Sequence, residues 1–177
     1  MTLSDTVAIM QKGEVDAIGT PHALFSRPPT RFVAGFFGGH NLIPATLQAT
    51  SSNGHASIEV LGQQVTAPTA ARLEEGDKVR VAAPAPAIRL APGTRPRINI
   101  PATVIEALYI GDAVQVSCNV DGAGVLHANV AVEEGLALAA GSDVQLYIDT
   151  ADTVVVGERT AAPEANPSPS NQGEASK

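Results

Sequence analysis

Four histidines, one cysteine and a few adjacent carboxylates are the residues of this sequence with the means to do chemistry. His22, His40, His55 and His127 stand far apart, without a His, Cys or carboxylate companion at the short spacing metal ligands need, so surface positions are expected for them. Cys118, between Ser117 and Asn119, has no second cysteine for a disulfide, a CxxC redox pair or a thiolate metal site. Ser4-Asp5 resembles part of a nucleophile arrangement, but no histidine is placed by sequence to activate the hydroxyl, and a cap or turn is expected. Glu74-Glu75 and Glu133-Glu134 are paired carboxylates, yet each pair precedes a glycine at an expected turn, where solvated carboxylates have no reason to act as general acids. Nucleoside triphosphate hydrolysis would need a GxxxxGK[ST] loop to cradle phosphates, an apolar strand ending in Asp-Glu to hold Mg²⁺, and an LSGGQ-like loop. None of these occurs in the sequence, so no catalytic, cofactor or metal site is expected in this chain.

Composition narrows the class further. With 177 residues, 44% hydrophobic and 16% charged, the chain suits a folded globular protein with one core or two small ones. The net charge of −7 opposes the phosphate-neutralising contacts that dominate nucleic-acid affinity, and aromatics are only 3% of residues, so no nucleic-acid partner is expected. No apolar run approaches the roughly 18 residues of a membrane span, and the start lacks the basic region and apolar stretch of a signal peptide. A cytoplasmic location is expected, with any membrane contact made through a partner.

The elements follow from spacing. Val7, Ile9, Val15 and Ala17 alternate about Lys12-Gly13, the pattern of a β-hairpin. Thr20-Pro21 opens a short helix, with Thr20 as cap and Pro21 at the first helical position, and Pro28-Pro29 stops it. A second short helix puts Phe32 beside Phe36, and Val33 beside Phe37, one turn apart, with Gly38-Gly39 ending it. All four phenylalanines, Phe25, Phe32, Phe36 and Phe37, fall in this stretch. Burying each would stabilise by roughly 1.5–3 kcal/mol, more than so short a segment can collect alone. The segment therefore needs a surface to pack against, either the domain that follows or a larger domain absent from this chain, and for the second case Arg31, Phe32, Phe36 and Phe37 are the candidate packing residues.

From residue 41 to 160 the texture changes to short Val-, Ile-, Leu- and Ala-rich runs separated by Asn53-Gly54, Asp121-Gly122 and Gly141-Ser142, which read as strands and turns. The segment repeats loosely: Ile43-Pro44-Ala45-Thr46-Leu47 returns as Ile100-Pro101-Ala102-Thr103-Val104, and Leu73 to Val79 resembles Leu138 to Val144. Two related halves of about five strands each are expected, spanning about 41–92 and 98–160. Pro84, Pro86, Pro92 and Pro96 mark a crossover between them. Residues 161–177, with three Pro and three Ser and no Val, Ile, Leu or Phe, are expected to form a disordered tail.

Residues 1–40 resemble the stretch after the switch histidine in the ATP-binding subunits of ABC importers of the polyamine, maltose, sulfate and ferric-iron group. The resemblance is carried by Thr2-Leu3-Ser4-Asp5, Val7-Ala8-Ile9-Met10, Lys12-Gly13, Gly19-Thr20-Pro21, Arg27-Pro28, Arg31-Phe32-Val33-Ala34, Phe36 and Asn41-Leu42. The remainder is similar to that family's appended TOBE region, through Ala102-Thr103-Val104, Tyr109-Ile110-Gly111-Asp112 and Gly141-Ser142-Asp143-Val144. It departs at Pro84-Ala85-Pro86, where the family usually has Arg-Pro-Glu.

The resemblance implies a mainly β protein: an OB-like TOBE barrel of two related halves, preceded by a short α/β remnant of the nucleotide-binding domain. It implies an accessory or regulatory role in transmembrane transport, with the nucleotide-binding core and a second ATP-binding subunit as partners. A homodimer in the parent complex, indirect contact with a membrane permease and a peripheral position on the inner membrane face follow. ATP and Mg²⁺ would belong to the full-length family, whose motifs precede the matched residues. A chain beginning at Met1 is then expected to reflect a misassigned start, or a split or decayed gene. The competing reading is a free-standing TOBE-type binder of small oxyanions such as molybdate, which would rely on backbone N–H groups and positive potential.

Overall fold

The computed structural model describes residues 5–51, 53–69, 73–74 and 78–157. Residues 2–4, 75–77 and the expected tail at 161–177 lie outside that range.

The chain opens with the hairpin β1 (Val7–Gln11) and β2 (Glu14–Gly19). Lys12 at φ 52° and Gly13 at φ 88° are both left-handed, as a two-residue turn must be to match the right-handed twist of its strands. Helix α1 (Pro21–Ser26) is capped by the Thr20 hydroxyl, which accepts from the Ala23 N–H at 3.2 Å. Helix α2 (Arg31–Phe36) is capped by Thr30, which accepts from the Val33 N–H at 3.1 Å. The Thr30 hydroxyl also donates to Asp16 Oδ2 in a buried contact that ties α2 to β2.

Two five-stranded antiparallel sheets follow. The first is built on β3 (His40–Ser51), β4 (His55–Val60), β5 (Gln63–Pro68) and β6 (Lys78–Pro84). A turn of 3-10 helix at Ala85–Ala87 then leads to the short β7 (Ile88–Arg89). The second sheet is built on β8 (Arg97–Tyr109), β9 (Val114–Val120), β10 (Gly124–Val130) and β11 (Asp143–Asp149), with helix α3 (Val132–Leu136) between the last two. Strand β12 (Val154–Gly157) ends the described chain.

The sequence repeat is a structural repeat. Ile43–Leu47 lies in β3 and Ile100–Val104 in β8, and both strands slip register at the same place, between Leu47 and Ala49 and between Val104 and Glu106. A bulge there bends each long strand and strengthens its twist. The halves read as 41–92 and 98–160 are interlocked: β7 follows β6 but pairs with β11, Ile88 opposite Ile148. Likewise β12 follows β11 but pairs with β6, Val155 opposite Val81. Each sheet thus takes its last strand from the other half, giving the strand orders β5-β4-β3-β6-β12 and β10-β9-β8-β11-β7.

Alternating side chains of both sheets meet in one aliphatic core that includes Ile43, Ile58, Val81, Ile100, Val116, Leu146 and Val155. Its largest fully buried members are Ile, Leu and Val, the branched shapes that pack on pleated surfaces. Amide side chains stitch the halves at their seams. Asn41 accepts from the His127 N–H at 2.7 Å and donates to the His127 carbonyl at 2.9 Å, while Gln63 clamps Asn99 at 3.1 and 2.7 Å.

Candidate interaction surfaces

The front segment is held by two small apolar clusters. Val33 of α2 joins Ile9, Ala17 and Leu24 in a cluster internal to the segment. Ala34, on the adjoining side of the helix, packs on Ala82, Val154 and Val156 of the first sheet. The phenylalanines are left at the margin. Phe25 and Phe37 meet edge to face at 6.0 Å, Phe36 touches Phe37 at 5.6 Å and Phe32 at 6.2 Å, yet none is fully buried. Phe36 is 60% exposed, and Met10 and Ile18 of the hairpin are also largely exposed. The structure brings Phe32, Phe36 and Phe37 together at one ring cluster, with Arg31 exposed at the start of the same helix.

His40 departs from the surface position expected of it. Its ring lies 4.9 Å from that of Phe25, and Nδ1 is buried without a hydrogen-bond partner. Burial lowers its pKa. His22 and His127 are exposed and His55 half-buried, and no group of metal-ligating side chains occurs among the described residues. Cys118 is buried in the core, and desolvation pushes its thiol pKa up, away from the reactive thiolate. Glu133 and Glu134 sit in the first turn of α3 and not at a simple turn, but both are exposed, as solvated carboxylates should be.

A second bare surface, missed from the sequence, forms where β8 outruns its neighbour. β11 stops pairing with β8 at Thr103, and beyond the bulge Glu106 to Tyr109 pair with β9 alone. Leu108 and Tyr109 therefore project from opposite faces of a protruding hairpin, and Tyr109 is 59% exposed. Helix α3 lies flat beside it because Gly135 sits directly on Val114, the residue paired with Tyr109. Its neighbour Leu136 is 66% exposed. The signal was present: Leu108-Tyr109-Ile110 are consecutive apolar residues that break the alternation of a half-buried strand.

At the other end of β8 the charge reverses. The Arg89 guanidinium bridges Asp149 at 3.0 Å and Asp152 at 3.3 Å, pinning β7 to the end of β11. Arg97 donates to the Gly93 carbonyl at 2.7 Å and lies over the Tyr147 ring. Arg95 is held most loosely, 3.8 Å from Asp152 with its side chain 62% exposed. An open groove elsewhere on the second sheet is bordered by Thr103, Asn119, Asp121, Asp143 and Gln145 over Leu61 and Val144. Its charged side chains are carboxylates, so it presents no positive potential to an oxyanion.

Comparison with known proteins bears on the family and the fold. The family profile of the TOBE domain matches residues 85–156. The chain is 29% identical over 161 residues to the spermidine/putrescine import ATP-binding protein PotA of Rubrobacter xylanophilus, covering 89% of this chain and 42% of that protein. It is 29% identical over 122 residues to PotA of Roseobacter denitrificans, covering 69% of this chain and 34% of the relative. The Fe(3+) ions import ATP-binding protein FbpC of Brucella abortus is 26% identical over 158 residues, covering 89% and 43%. The chain thus spans less than half the length of these relatives. Among solved structures, the molybdate-bound cytoplasmic molybdate-binding protein ModG superposes with a TM-score of 0.55 at 18% identity, over 66% of this chain and 95% of that one. That likeness concerns the fold. Residues 85–156 carry a TOBE domain, within a chain similar along most of its length to the ATP-binding proteins of importers.

Proposed function

We propose that this chain is the accessory end of an importer's ATP-binding subunit, a barrel that docks on a nucleotide-binding core and works beside a second ATP-binding subunit. ATP, Mg²⁺ and hydrolysis belong to that core, and this chain by itself hydrolyses no ATP. Its place is at the inner membrane face, reached through the transporter and its permease; no helix among the described residues is long and apolar enough to cross a membrane. Polyamine and ferric-iron import are the transport classes of the relatives and the solute classes proposed here.

The observation that carries this reading is the half-covered phenylalanine cluster on a segment whose sequence resembles that of an importer's ATP-binding protein. Phe36 gains little burial from its position in this chain. Against a nucleotide-binding core, its burial would stabilise by about 1.5–3 kcal/mol. Phe36→Ala is therefore expected to leave the unfolding midpoint of this chain nearly unchanged, and to lower that of a longer protein carrying the core. An equal response in both proteins would refute the docking.

The fold shared with ModG offers oxyanion binding as a second reading. The carboxylates of Asp121 and Asp143 along the groove oppose it.

A further inference from the structure

Asn53 and Gly54 lie in the turn between β3 and β4, and both are exposed. They are the only Asn-Gly pair in the sequence. Gly54 holds φ 75°, and a Cβ there would meet nothing nearer than the Thr69 carbonyl oxygen at 4.0 Å, so no side chain of its own shields its amide nitrogen. Matching Ile43 to Ile100 in the repeat sets Ile110-Gly111 in the same place, and Gly111 is also left-handed, at φ 107°. The fold thus asks for glycine at this turn and leaves the residue before it free. Elsewhere Asn41, Asn99, Asn119 and Asn129 lie inside strands and precede Leu42, Ile100, Val120 and Val130, whose branched side chains crowd the following amide.

Two neighbours bear on the exposed pair. The His55 Nδ1 lies 3.2 Å from the Asn53 main-chain oxygen, which carries no hydrogen, so the ring is the donor. That oxygen belongs to the same peptide group as the Gly54 N–H. A donor on it stabilises the negative charge left when that N–H loses its proton. Beyond the pair, the Gly54 carbonyl accepts from the Thr69 N–H at 2.9 Å. Thr69 in turn bridges Val155 and donates its hydroxyl to the Val155 carbonyl at 3.0 Å, joining the end of β5 to β12, the two outer strands of the first sheet.

We infer that Asn53 is a site of spontaneous deamidation, accelerated by His55, whose isoaspartyl product loosens the closure of the first sheet. The Gly54 nitrogen, having lost its proton to hydroxide, forms a C–N bond to Asn53 Cγ, and the side-chain nitrogen leaves as ammonia with a proton from water. Water then opens the cyclic imide. Attack at Cγ gives aspartate; attack at the main-chain carbonyl gives isoaspartate, in which the chain runs through Cβ and Cγ. Isoaspartate lengthens the backbone by a methylene just before Gly54, which carries the Gly54 carbonyl away from the Thr69 N–H. None of this requires a partner or the importer reading.

Incubating the full chain in warm, mildly alkaline buffer and mapping its peptides by mass spectrometry tests the site. The peptide holding Asn53 should gain the mass difference between an amide and a carboxyl group, and those holding Asn99, Asn119 and Asn129 should not. An isoaspartate-specific methyltransferase with a labelled methyl donor should mark the same peptide. His55→Phe should slow the conversion by about three- to tenfold, the worth of one ordinary hydrogen bond formed to the transition state. His55→Asn keeps a donor where Nδ1 stands and should recover part of the rate, and circular-dichroism melts matching the parent's would establish that both variants fold. Hydrogen exchange reads the consequence. The Thr69 amide should exchange about tenfold faster in the isoaspartyl form than in fresh protein, whereas Asn53→Asp, which adds the charge without the methylene, should leave it protected. Asn53 persisting through the incubation, equal rates with and without a donor at position 55, or an unchanged Thr69 amide in the isoaspartyl form would overturn the inference.

Discussion

At the scale of single residues, several polar side chains hold elements in place. Asp16 and Thr30 are both nearly inaccessible; their hydrogen bond satisfies one carboxylate oxygen, while Oδ1 has no partner. His40 has a comparable role at the junction between α2 and β3. Its pKa is lowered by burial, so between the folded value and the ordinary value near 6.5 the unfolded chain binds more protons than the folded one. The stability contributed by neutral His40 is therefore complete above about pH 6.5 and is lost as pH falls through the folded pKa. His40→Phe keeps a ring against Phe25 and removes the titration. The urea midpoint is expected to fall less between pH 7 and pH 5 in this variant than in the parent chain, and identical pH slopes would show that His40 carries no such load. None of this was legible in the sequence, where His40 stands between Gly39 and Asn41. Its burial is created by Phe25, fifteen positions earlier in the chain, folding back over the start of β3.

At the scale of elements, local rules sufficed wherever the signal was local. The Lys12-Gly13 turn and the Thr20 and Thr30 caps require only neighbours in sequence, and Thr30 is the less legible cap because it directly follows Pro28-Pro29, which mark the stop of α1. Helix α3 was missed for a different reason. Val132–Leu136 is five residues long, ends near a glycine and has no side-chain cap, so nothing marks it before β9 offers a surface. Gly135 is what lets it lie there: a Cβ at that position would stand 2.4 Å from the Val114 Cβ. Gly35, in α2, would place a Cβ in open space. Alanine at the two sites should accordingly act in opposite directions. Gly35→Ala gains helix propensity and is expected to stabilise this chain by up to about 1 kcal/mol. Gly135→Ala must push α3 off β9, and overpacking of this kind costs about 1–3 kcal/mol, outweighing the same propensity gain. Chemical denaturation of both variants checks the pair, and a stabilised Gly135→Ala would mean that α3 is free to move.

At the scale of the whole molecule, the internal repeat announced two halves and the sheets were readable from it, but the exchange of β7 and β12 was not. Nothing in Ile88-Arg89 or in Val154 to Gly157 says which sheet they join, because both are short and follow a bend. The choice is made by geometry. After β6 the turn at Ala85–Ala87 directs the chain away from its own sheet, and the turn at Thr150–Asp152 after β11 does the same in the opposite sense. The exchange means that neither half has a complete sheet of its own. Val154, Val155 and Val156 of β12 are buried against the first sheet, and Ile88 of β7 is buried against the second. A chain ending at residue 92 would lose β12 together with Ile98, Ile100 and Leu146, which form the other wall of the shared core. Each fully buried aliphatic side chain accounts for roughly 1.5–3 kcal/mol, so those lost are together comparable with the 5–15 kcal/mol by which a whole domain is ordinarily stable. Residues 1–92 alone are therefore expected to show no cooperative thermal transition, while the intact chain unfolds in a single step with coincident curves from calorimetry and circular dichroism. A cooperative transition in the shortened chain, or two separated transitions in the intact one, would mean that the halves are independent units and that the crossed strands close the sheets without uniting the core.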